Sequence, residues 1–499
     1  MVSLAPVGGA FFIPGVNYKG GVRSMSQTQK AQGYIPNKQA KHQVVNGYLP
    51  DERPSFVKLL LYALQQVIVM FPATVTVALI TGFHVSTTIF ASGLATVCFT
   101  LITGRKIPMY YGSSFAYLAA IASMVVAEGG QMGAPGTFVL PTELISKAQF
   151  GIVLSGLISI FAGLLVKWGG MDKVDKILPA SVTGPVAMII GLTLSGNAMM
   201  DAAPAAGQSQ MVWVVSLVTL LSTVIYSKKL KGFLGQLPLL LGAATGCVAA
   251  VLLLLLTGES LFRDIPAASL AASTWKLGDG SLFALPAFSL PTANWASVIA
   301  IMPIAIATIP ESTAHMYQLD IYVNDLARKK GKGEYGLANM LDRNLIGDGV
   351  CDMISGVIGG PAGTNYGENI STMAITKVFS VPVMFAAGIL AMLVSCFTPL
   401  IRGIYGIPQA VIGGLEIYLF GAIAAQGIAI LIDKKVSMFD SKNIAVIASI
   451  MTLGLGIHYG FGGNINFFGM NIPAVAGAAI FGIILNFVLS IGEKKETAA

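Results

Sequence analysis

Long runs of hydrophobic residues alternate with short polar stretches along this chain. Because backbone groups in hydrocarbon must hydrogen-bond within their own segment, an apolar run of about 20 residues crosses a bilayer as an α-helix. The runs predict an all-α polytopic membrane protein with fourteen spans. The first seven lie near 57–80, 85–103, 107–127, 144–166, 177–200, 211–227 and 233–256. The second seven lie near 297–318, 344–359, 361–378, 379–400, 405–431, 442–458 and 467–492.

The grouping into two sets of seven constrains any internal repeat. An odd number of spans in each half makes the two halves enter the membrane from opposite sides, so a repeat would be inverted. A short sequence echo supports this idea, because span 3 opens with YGSS at 111–114 and its counterpart, span 10, opens with YGEN at 366–369. Inverted repeats are typical of secondary transporters, which bind substrate near the middle of the membrane. We therefore predict a 7+7 inverted repeat and a transport function.

The positions of lysine and arginine predict the orientation of the spans. Cytoplasmic loops are enriched in these residues, and the chain has 30 of them. With both termini in the cytoplasm, all but four fall in the N-terminal tail, in alternate loops or at the C-terminus. The exceptions are Lys147, Arg263, Lys276 and Arg402. A miscounted span would invert the alternation after the error, so the charges support the count as well as the orientation.

Composition agrees with a membrane protein and excludes several other classes. The 499 residues are 55% hydrophobic and 11% charged, with a mean hydropathy of +0.75, whereas soluble domains carry about 25% charged residues. The net charge of +7 does not indicate nucleic-acid binding, because the basic residues separate hydrophobic runs instead of covering one surface. The four cysteines show no paired spacing, which predicts neither a disulfide framework nor a metal site. No motif indicates a cofactor.

The segments outside the spans are polar. Residues 1–56 lack the apolar run of a signal peptide, and we expect them to form a flexible, dispensable cytoplasmic tail in which Met25 is a second candidate for the start of the chain. Residues 257–296 are predicted to form an extracellular loop. Residues 493–499 are predicted to form a short cytoplasmic C-terminus.

Spans 3 and 10 contain interruptions that point to a binding site. Each begins with a stretch punctuated by proline or glycine, at 106–112 and 359–367, before the sequence becomes apolar. A half-helix that begins inside the membrane exposes N–H groups and the positive end of its dipole, which suit acceptor atoms on a ligand. The alternative is a pair of re-entrant loops that serve only packing.

Glu311 is a carboxylate in the interior of span 8. A carboxylate that faced lipid at that depth would cost at least ~2.5 kcal/mol, so Glu311 is predicted to face the protein interior. His315 lies four residues later and therefore shares its helix face. The two side chains are candidates for sharing or relaying a proton. The alternative is a structural ion pair that fixes helix packing.

Glu368 lies in the interrupted part of span 10, at the expected start of a half-helix. It is a candidate for substrate recognition, although an acidic residue in a first helical turn also suits capping. Asp348 and Asp352, in the Gly-rich span 9, are expected to bond the loop backbone of a neighbouring span and to give structural support. Asn369 is expected to support the site from beside Glu368.

These residues resemble the nucleobase-ascorbate transporter family of nucleobase:cation symporters, and most closely its bacterial uracil permeases. The family signature, Gln/Glu/Pro-Asn-x-Gly-x-x-x-x-Thr-Arg/Lys, matches 368–377, where Ser371 replaces the glycine. The resemblance extends through 107–116 in span 3 and 311–315 in span 8, within a similar region of about 51–492. Glutamate at the first signature position is similar to the uracil-type members.

The resemblance implies two domains. A core domain would comprise 57–166 (spans 1–4) and 297–400 (spans 8–11), and a gate domain would comprise 167–256 (spans 5–7) and 401–492 (spans 12–14). It also implies short antiparallel strands in the interrupted spans 3 and 10.

In similar family members the base lies between the two half-helices. Six residues are therefore expected to bind substrate: Glu311, Glu368, Phe115, Gly367, Tyr366 and Ser114. The resemblance implies that the two carboxylates accept hydrogen bonds from ring N–H groups, while backbone N–H groups near Phe115, Gly367 and Glu368 meet ring carbonyls. Proton coupling is expected at Glu311 and His315.

The leading hypothesis is import of uracil across the plasma membrane by proton symport with alternating access. The alternatives are a xanthine or urate permease of the same family, Na+ as the coupling ion, an anion exchanger of the sulfate-carrier type, and a channel or scaffold. Two carboxylates in the pocket oppose an anionic substrate. No catalytic arrangement or phosphate loop indicates an enzyme. The expected partners are the base, the proton, the lipid bilayer and a second copy of the chain, since Gly-rich faces also allow a homodimer; nucleic acid is not expected.

Overall fold

A computed structural model describes residues 47–130, 139–170, 178–205, 207–263, 282–468 and 470–491. Three predictions fall partly or wholly on other residues. Most of the expected N-terminal tail, much of the loop 257–296 and the C-terminus 493–499 lie outside the described residues.

The described residues form α-helices and two small antiparallel sheets. The helices before the loop 257–296 are α1 (Phe56–Thr81), α2 (Val85–Ile102), α3 (Leu118–Ala127), α4 (Thr142–Gly169), α5 (Ala180–Ala202), α6 (Met211–Lys229) and α7 (Pro238–Thr257). The later helices are α8 (Trp295–Ile301), α9 (Ala305–Lys329), α10 (Leu341–Ile358), α11 (Gly367–Thr376), α12 (Val381–Ser395), α13 (Thr398–Tyr405), α14 (Gln409–Asp433), α15 (Ser441–Phe461) and α16 (Ala474–Leu489). Helices this apolar on all faces suit burial in a bundle or in lipid.

Within the described ranges, nine helical stretches are long and apolar enough to cross a membrane, with α8, a short 3-10 turn and α9 counted as one. This confirms the prediction of an α-helical, multi-pass membrane protein. The other five predicted spans coincide with α3, α10, α11, α12 and α16. These helices are shorter or more polar, and two of them, α3 and α11, have only 10 residues each.

Glycines allow the closest helix crossings. A Cβ atom on Gly93 of α2 would lie 2.5 Å from the carbonyl oxygen of Gly388 in α12. A Cβ atom on Gly156 of α4 would lie 2.3 Å from the carbonyl oxygen of Gly349 in α10. Such contacts between backbones are how helices gain van der Waals packing in a bilayer, where no hydrophobic force drives them together. The abundance of glycine inside apolar runs therefore serves helix packing.

Two three-residue strands lie at the centre of the bundle. Strand β1 (Tyr111–Ser113) pairs with β2 (Gly363–Asn365) in antiparallel register, with Tyr111 opposite Asn365. Both strands are buried. They lie in the interrupted segments of spans 3 and 10, and α3 and α11 begin just beyond them.

Side chains satisfy the outer edges of this two-stranded ladder. On β1, the Ser92 hydroxyl donates to the carbonyl of Tyr111 at 2.7 Å, and the N–H of Tyr111 donates to the Thr96 hydroxyl at 3.0 Å. On β2, the N–H of Gly363 donates to the Asp352 carboxylate at 2.8 Å. Irregular backbone at membrane depth is tolerated only when its polar groups are bonded within the protein or line a cavity. Helices α2 and α10 supply those bonds here.

The N-terminal segment 47–52, which we call the strap, corrects one expectation. We expected a flexible tail up to residue 56, but the strap is bound to the segment between α11 and α12. The N–H of Tyr48 donates to the carbonyl of Lys377 at 2.8 Å, and the N–H of Phe379 donates to the carbonyl of Tyr48 at 2.7 Å. Leu49 is fully buried. Main-chain pairing and an apolar anchor thus hold a segment whose polar composition had suggested a free tail.

The structure also contains three elements that the apolar pattern did not predict. Helix α13 (Thr398–Tyr405) precedes the long α14. Strands β3 (Asn464–Phe467) and β4 (Met470–Pro473) form an antiparallel hairpin before α16. All three lie at the edges of predicted spans, where hydropathy alone does not separate a short strand or helix from the adjoining span.

Candidate functional site

A cavity lies between the paired strands, the first turns after them, helix α9 and helices α5 and α14. Its empty volume is about 750 Å3, which includes the part of the opening that is continuous with solvent. The residues proposed from the sequence as substrate-binding or proton-coupling all line it: Ser114, Phe115, Glu311, His315, Tyr366, Gly367 and Glu368. Its wall on the side of β1, β2 and α9 is rich in polar groups, whereas α5 and α14 present mostly aliphatic side chains.

The helix starts beside the strands have identifiable causes. Ser114 has an extended backbone, and its hydroxyl accepts a hydrogen bond from the N–H of Ala116, which caps the 3-10 turn leading into α3. Tyr366 is likewise extended and precedes α11, whose first residues are Gly367 and Glu368. The positive ends of both short helices therefore border the cavity, and such ends favour acceptor atoms or negative charge.

Glu311 and His315 lie one helical turn apart on α9 and both face the cavity. Pro310 immediately precedes Glu311, and its missing N–H leaves one turn of the helix without its hydrogen bond. Glu368 lines the same cavity as Glu311. Two like charges in a poorly solvated space repel each other, so a proton or a ligand with N–H donors would relieve that repulsion.

Asp348 lies behind β2 and does not line the cavity. Its carboxylate accepts hydrogen bonds from the Ser312 hydroxyl and from the side-chain amide of Asn365, the latter at 3.2 Å. Asn365 also donates to the side chain of Asn344 at 3.0 Å. This buried network ties α9, α10 and β2 together. We expected Asp348 and Asp352 to bond the loop backbone of a neighbouring span; Asp352 does so at the N–H of Gly363, whereas Asp348 contacts side chains.

Asn369 also points away from the cavity. Its side-chain amide contacts Gln66 in α1, where both side chains are buried. Ser371, which occupies the glycine position of the family signature, is buried in the same helix.

Several further contacts and lining residues shape the site and were not identified from the sequence. The Tyr366 hydroxyl donates to the carbonyl of Ser113 at 2.9 Å and bonds the Thr74 hydroxyl at 2.9 Å. The Tyr111 hydroxyl donates to Asp352. From the opposite side, α5 and α14 contribute six lining residues: Ala187, Ile190, Leu419, Ile423, Gln426 and Ile430. Of these, Gln426 alone had a sequence signal, as a polar residue inside an apolar span.

Comparisons with known proteins agree on a membrane permease. A model of the permease family that contains xanthine and uracil permeases matches residues 57–463. The uracil permease of Bacillus caldolyticus is 34% identical over 449 residues, which cover 88% of this chain and 94% of that protein. The uracil permease of Escherichia coli (strain K12) is 30% identical over 446 residues, with coverage of 88% and 93%.

Solved structures share the fold at much lower identity. The transmembrane domain of the cyanobacterium bicarbonate transporter BicA superposes with a TM-score of 0.52 at 15% identity and covers 87% of this chain and 97% of that chain. The murine anion transporter Slc26a9, in its inward-facing state, gives a TM-score of 0.55 at 12% identity and covers 94% of this chain and 77% of that chain. At these identities the likeness shows the fold alone.

Proposed function

Because this chain belongs to the xanthine/uracil permease family, we propose that it is a secondary active transporter that imports a nucleobase, uracil, by proton symport. Membership of a permease family establishes a transporter and not an enzyme. The observation that carries the proposal is the convergence of Glu311, Glu368 and two helix starts on one cavity. The uracil permeases of two bacteria that are similar over most of this chain support the choice of base.

The polar groups of the cavity suit the chemistry of uracil. Uracil has two ring N–H donors and two carbonyl acceptors. Ionised Glu311 and Glu368 can only accept hydrogen bonds, so they pair with the N–H groups, whereas backbone N–H groups near Phe115 and Gly367 pair with the carbonyls. Hydrogen bonds to a charged group are about twice as strong as neutral ones, so the site would reject analogues that lack a donor.

We place proton coupling at Glu311 and His315. The two side chains lie one turn apart and face the same cavity as the base, so a proton held there and a bound base would stabilise the same arrangement. Histidine changes charge near neutral pH, which fits a group that must take up and release a proton in each cycle. Na+ is the alternative coupling ion.

The proposed architecture is fourteen spans in a 7+7 inverted repeat, divided into a core domain and a gate domain. Two crossings support the repeat. Helices α2 and α12 cross at Gly93 and Gly388, and α10 and α4 cross at Gly349 and Gly156. Exchange of the two halves would convert one crossing into the other.

Alternating access would then follow from movement of one domain against the other in the plasma membrane, with both termini cytoplasmic. A homodimer is part of the same proposal.

Two alternatives remain as outcomes of the test. A xanthine or urate permease would use the same pair of carboxylates. The second alternative is an anion exchanger, because this chain shares the fold of BicA and Slc26a9. Two carboxylates in the cavity would repel an anionic substrate.

Transport into vesicles tests the proposal. Uptake of radiolabelled uracil should increase under an inward-directed proton gradient and should fall when an uncoupler is added. Unlabelled uracil should compete better than xanthine or urate. Uptake that is indifferent to pH and to the uncoupler would reject proton symport, and stronger competition by a purine would reassign the substrate.

A further inference from the structure

Most of the cavity wall that the proposed gate domain contributes is one face of helix α14. Four residues of α14 line the cavity and define this gate stripe: Leu419, Ile423, Gln426 and Ile430. Their spacing of four, three and four residues places them on one helix face. The neighbouring contribution of α5, Ala187 and Ile190, is also aliphatic. Among the described lining residues of α5 and α14, Gln426 is the single polar side chain.

The orientation of Gln426 is fixed by close packing of its helix. A Cβ atom on the adjacent Gly427 would lie 2.5 Å from the carbonyl oxygen of Gly184 in α5. Two helical turns away, a Cβ atom on Gly191 of α5 would lie 2.4 Å from the carbonyl oxygen of Phe420 in α14. Because α14 touches α5 backbone to backbone at both points, it cannot rotate without a clash. The gate stripe is therefore held towards the cavity.

The Gln426 side chain is half-buried and makes no hydrogen bond within the described residues. Its neighbours on the stripe, Ile423 and Ile430, offer no polar partner. Its carboxamide has two N–H donors and one oxygen acceptor that a molecule in the cavity can reach. A ligand in the cavity can supply the bond that the protein does not.

We infer that Gln426 is a specificity-determining residue whose amide N–H donates to a carbonyl of the bound base, an inference that rests on the proposed function. The cavity carboxylates accept but cannot donate when ionised, whereas a carboxamide can donate. A ring carbonyl has two lone pairs, so it can accept one bond from a half-helix N–H and a second from Gln426. Since Gln426 belongs to the proposed gate domain, this bond would hold that domain against the base and close the cavity. A base without a carbonyl at this position would not stabilise the closed arrangement.

Binding measurements on the purified full-length protein test this inference. Gln426→Met keeps the length of the side chain and removes the amide. It should weaken uracil binding by about three- to tenfold, which is the scale of one neutral hydrogen bond. Ile428→Leu, a volume-conserving change on the exposed side of α14 and outside the cavity lining, should leave the Kd unchanged. Thermal unfolding without ligand checks the fold, and Gln426→Leu replaces the first variant if that one is unstable.

Thio analogues identify the contact. In 2-thiouracil and 4-thiouracil a sulfur, which is a weak acceptor, replaces one carbonyl oxygen. For one of the two analogues, the ratio of its Kd to that of uracil should fall by about three- to tenfold in Gln426→Met, because the lost bond no longer penalises the sulfur. An unchanged Kd for uracil, or unchanged ratios for both analogues, would overturn the inference. If the wild type binds no base at all, the proposed function fails instead.

Discussion

The side-chain amide of Asn369 donates hydrogen bonds to both the backbone carbonyl and the side-chain oxygen of Gln66, at 3.0 and 2.7 Å. Both residues are buried. The contact holds the first turn of α11 against α1. Glu368, one residue earlier in the same turn, lines the cavity. The asparagine of the family signature therefore holds the helix that carries Glu368, the carboxylate proposed to bind substrate, and does not itself line the cavity.

Removal of this contact should weaken the protein through α11. Asn369→Leu leaves the Gln66 side chain buried without its partner, which costs about 1–3 kcal/mol of stability. Thermal unfolding of the purified protein measures the loss. Gln66→Leu combined with Asn369→Leu removes both polar groups and should recover part of it. If the loss in the double variant equals the sum of the losses in Asn369→Leu and Gln66→Leu measured singly, the two residues do not interact.

Glu368→Gln should weaken uracil binding while the protein remains folded. The substitution replaces a charge-assisted hydrogen bond with a neutral one, and hydrogen bonds to charged groups contribute about 1.5–3 kcal/mol. A neutral bond is weaker by about 1–1.5 kcal/mol, so we expect a Kd roughly 5- to 12-fold higher in a binding titration. Glu334→Gln, which alters an exposed carboxylate far from the cavity, is the matched control. A Kd like that of the control would remove Glu368 from the site.

Glu311→Gln should separate binding from coupling. The variant should keep the fold but abolish proton-driven uptake, because a carboxamide at this position can neither gain nor lose the proton. Vesicle uptake with and without an inward proton gradient measures the effect, and unfolding temperature confirms that the protein is intact. Gradient-stimulated uptake at the wild-type rate would exclude Glu311 as the coupling group.

Gly156→Ala tests the close helix crossings. The new Cβ atom would lie 2.3 Å from the backbone oxygen of Gly349, so α4 and α10 must move apart, and overpacking of this kind costs about 1–3 kcal/mol. Gly421→Ala in α14 is the control, because no atom lies within 4 Å of its added Cβ. Alanine is the better helix former by up to about 1 kcal/mol, so the control should be neutral or more stable. Equal unfolding temperatures for the two variants would contradict the packing argument.

The strap predicts a boundary for truncation of the N-terminus. A chain that begins at Gly47 retains the bonds to Lys377 and the buried Leu49, whereas a chain that begins at Ser55 loses them. Burial of a leucine side chain alone contributes about 1.5–3 kcal/mol. The shorter chain should therefore unfold at a lower temperature than the longer one. Identical unfolding temperatures would restore the original expectation that the whole tail is dispensable.

Glu52 makes the stability that the strap contributes to the folded state depend on pH. Burial raises the pKa of this carboxyl, but hydrogen bonds from Lys330 and Lys332 and from the N–H of Leu49 outweigh it and lower the pKa from 4.5 to about 2. A carboxyl with a depressed pKa stabilises the folded state above its unfolded pKa and loses that effect as pH falls. The difference in unfolding temperature between wild type and Glu52→Gln should thus be constant from pH 7 to about 5. It should shrink as the pH is lowered from 4.5 towards 2, and a difference that grows in acid would contradict this assignment.

Much of the fold could be predicted because membrane insertion depends on local sequence. Long apolar runs such as α1 and α4 are visible as hydropathy, and the spacing of Glu311 and His315 on one helix face follows from helical geometry. The interruptions before α3 and α11 were visible as proline and glycine. Each of these features depends on residues that are close together in the chain.

What could not be predicted depends on residues that are far apart. The sequence indicates that Asp352 bonds a neighbouring loop backbone, but nothing local to it identifies the Tyr111 hydroxyl as a second partner. The burial of Leu49 depends on a segment more than half the chain away. For the same reason the gate stripe was missed, because an aliphatic helix face looks alike whether it meets lipid, protein or a substrate cavity.

The pairing of β1 with β2 has a consequence for biogenesis. Tyr111 lies opposite Asn365, so β1 is synthesised long before its partner exists. Until then β1 lacks the hydrogen bonds that β2 supplies, and backbone groups without hydrogen bonds are not tolerated in the hydrocarbon core. The interrupted segment after α2 must therefore stay hydrated, or bound to the insertion machinery, until the second half of the chain has been synthesised. The final shape of the cavity is then a late event, completed only when the last-made partner enters the membrane.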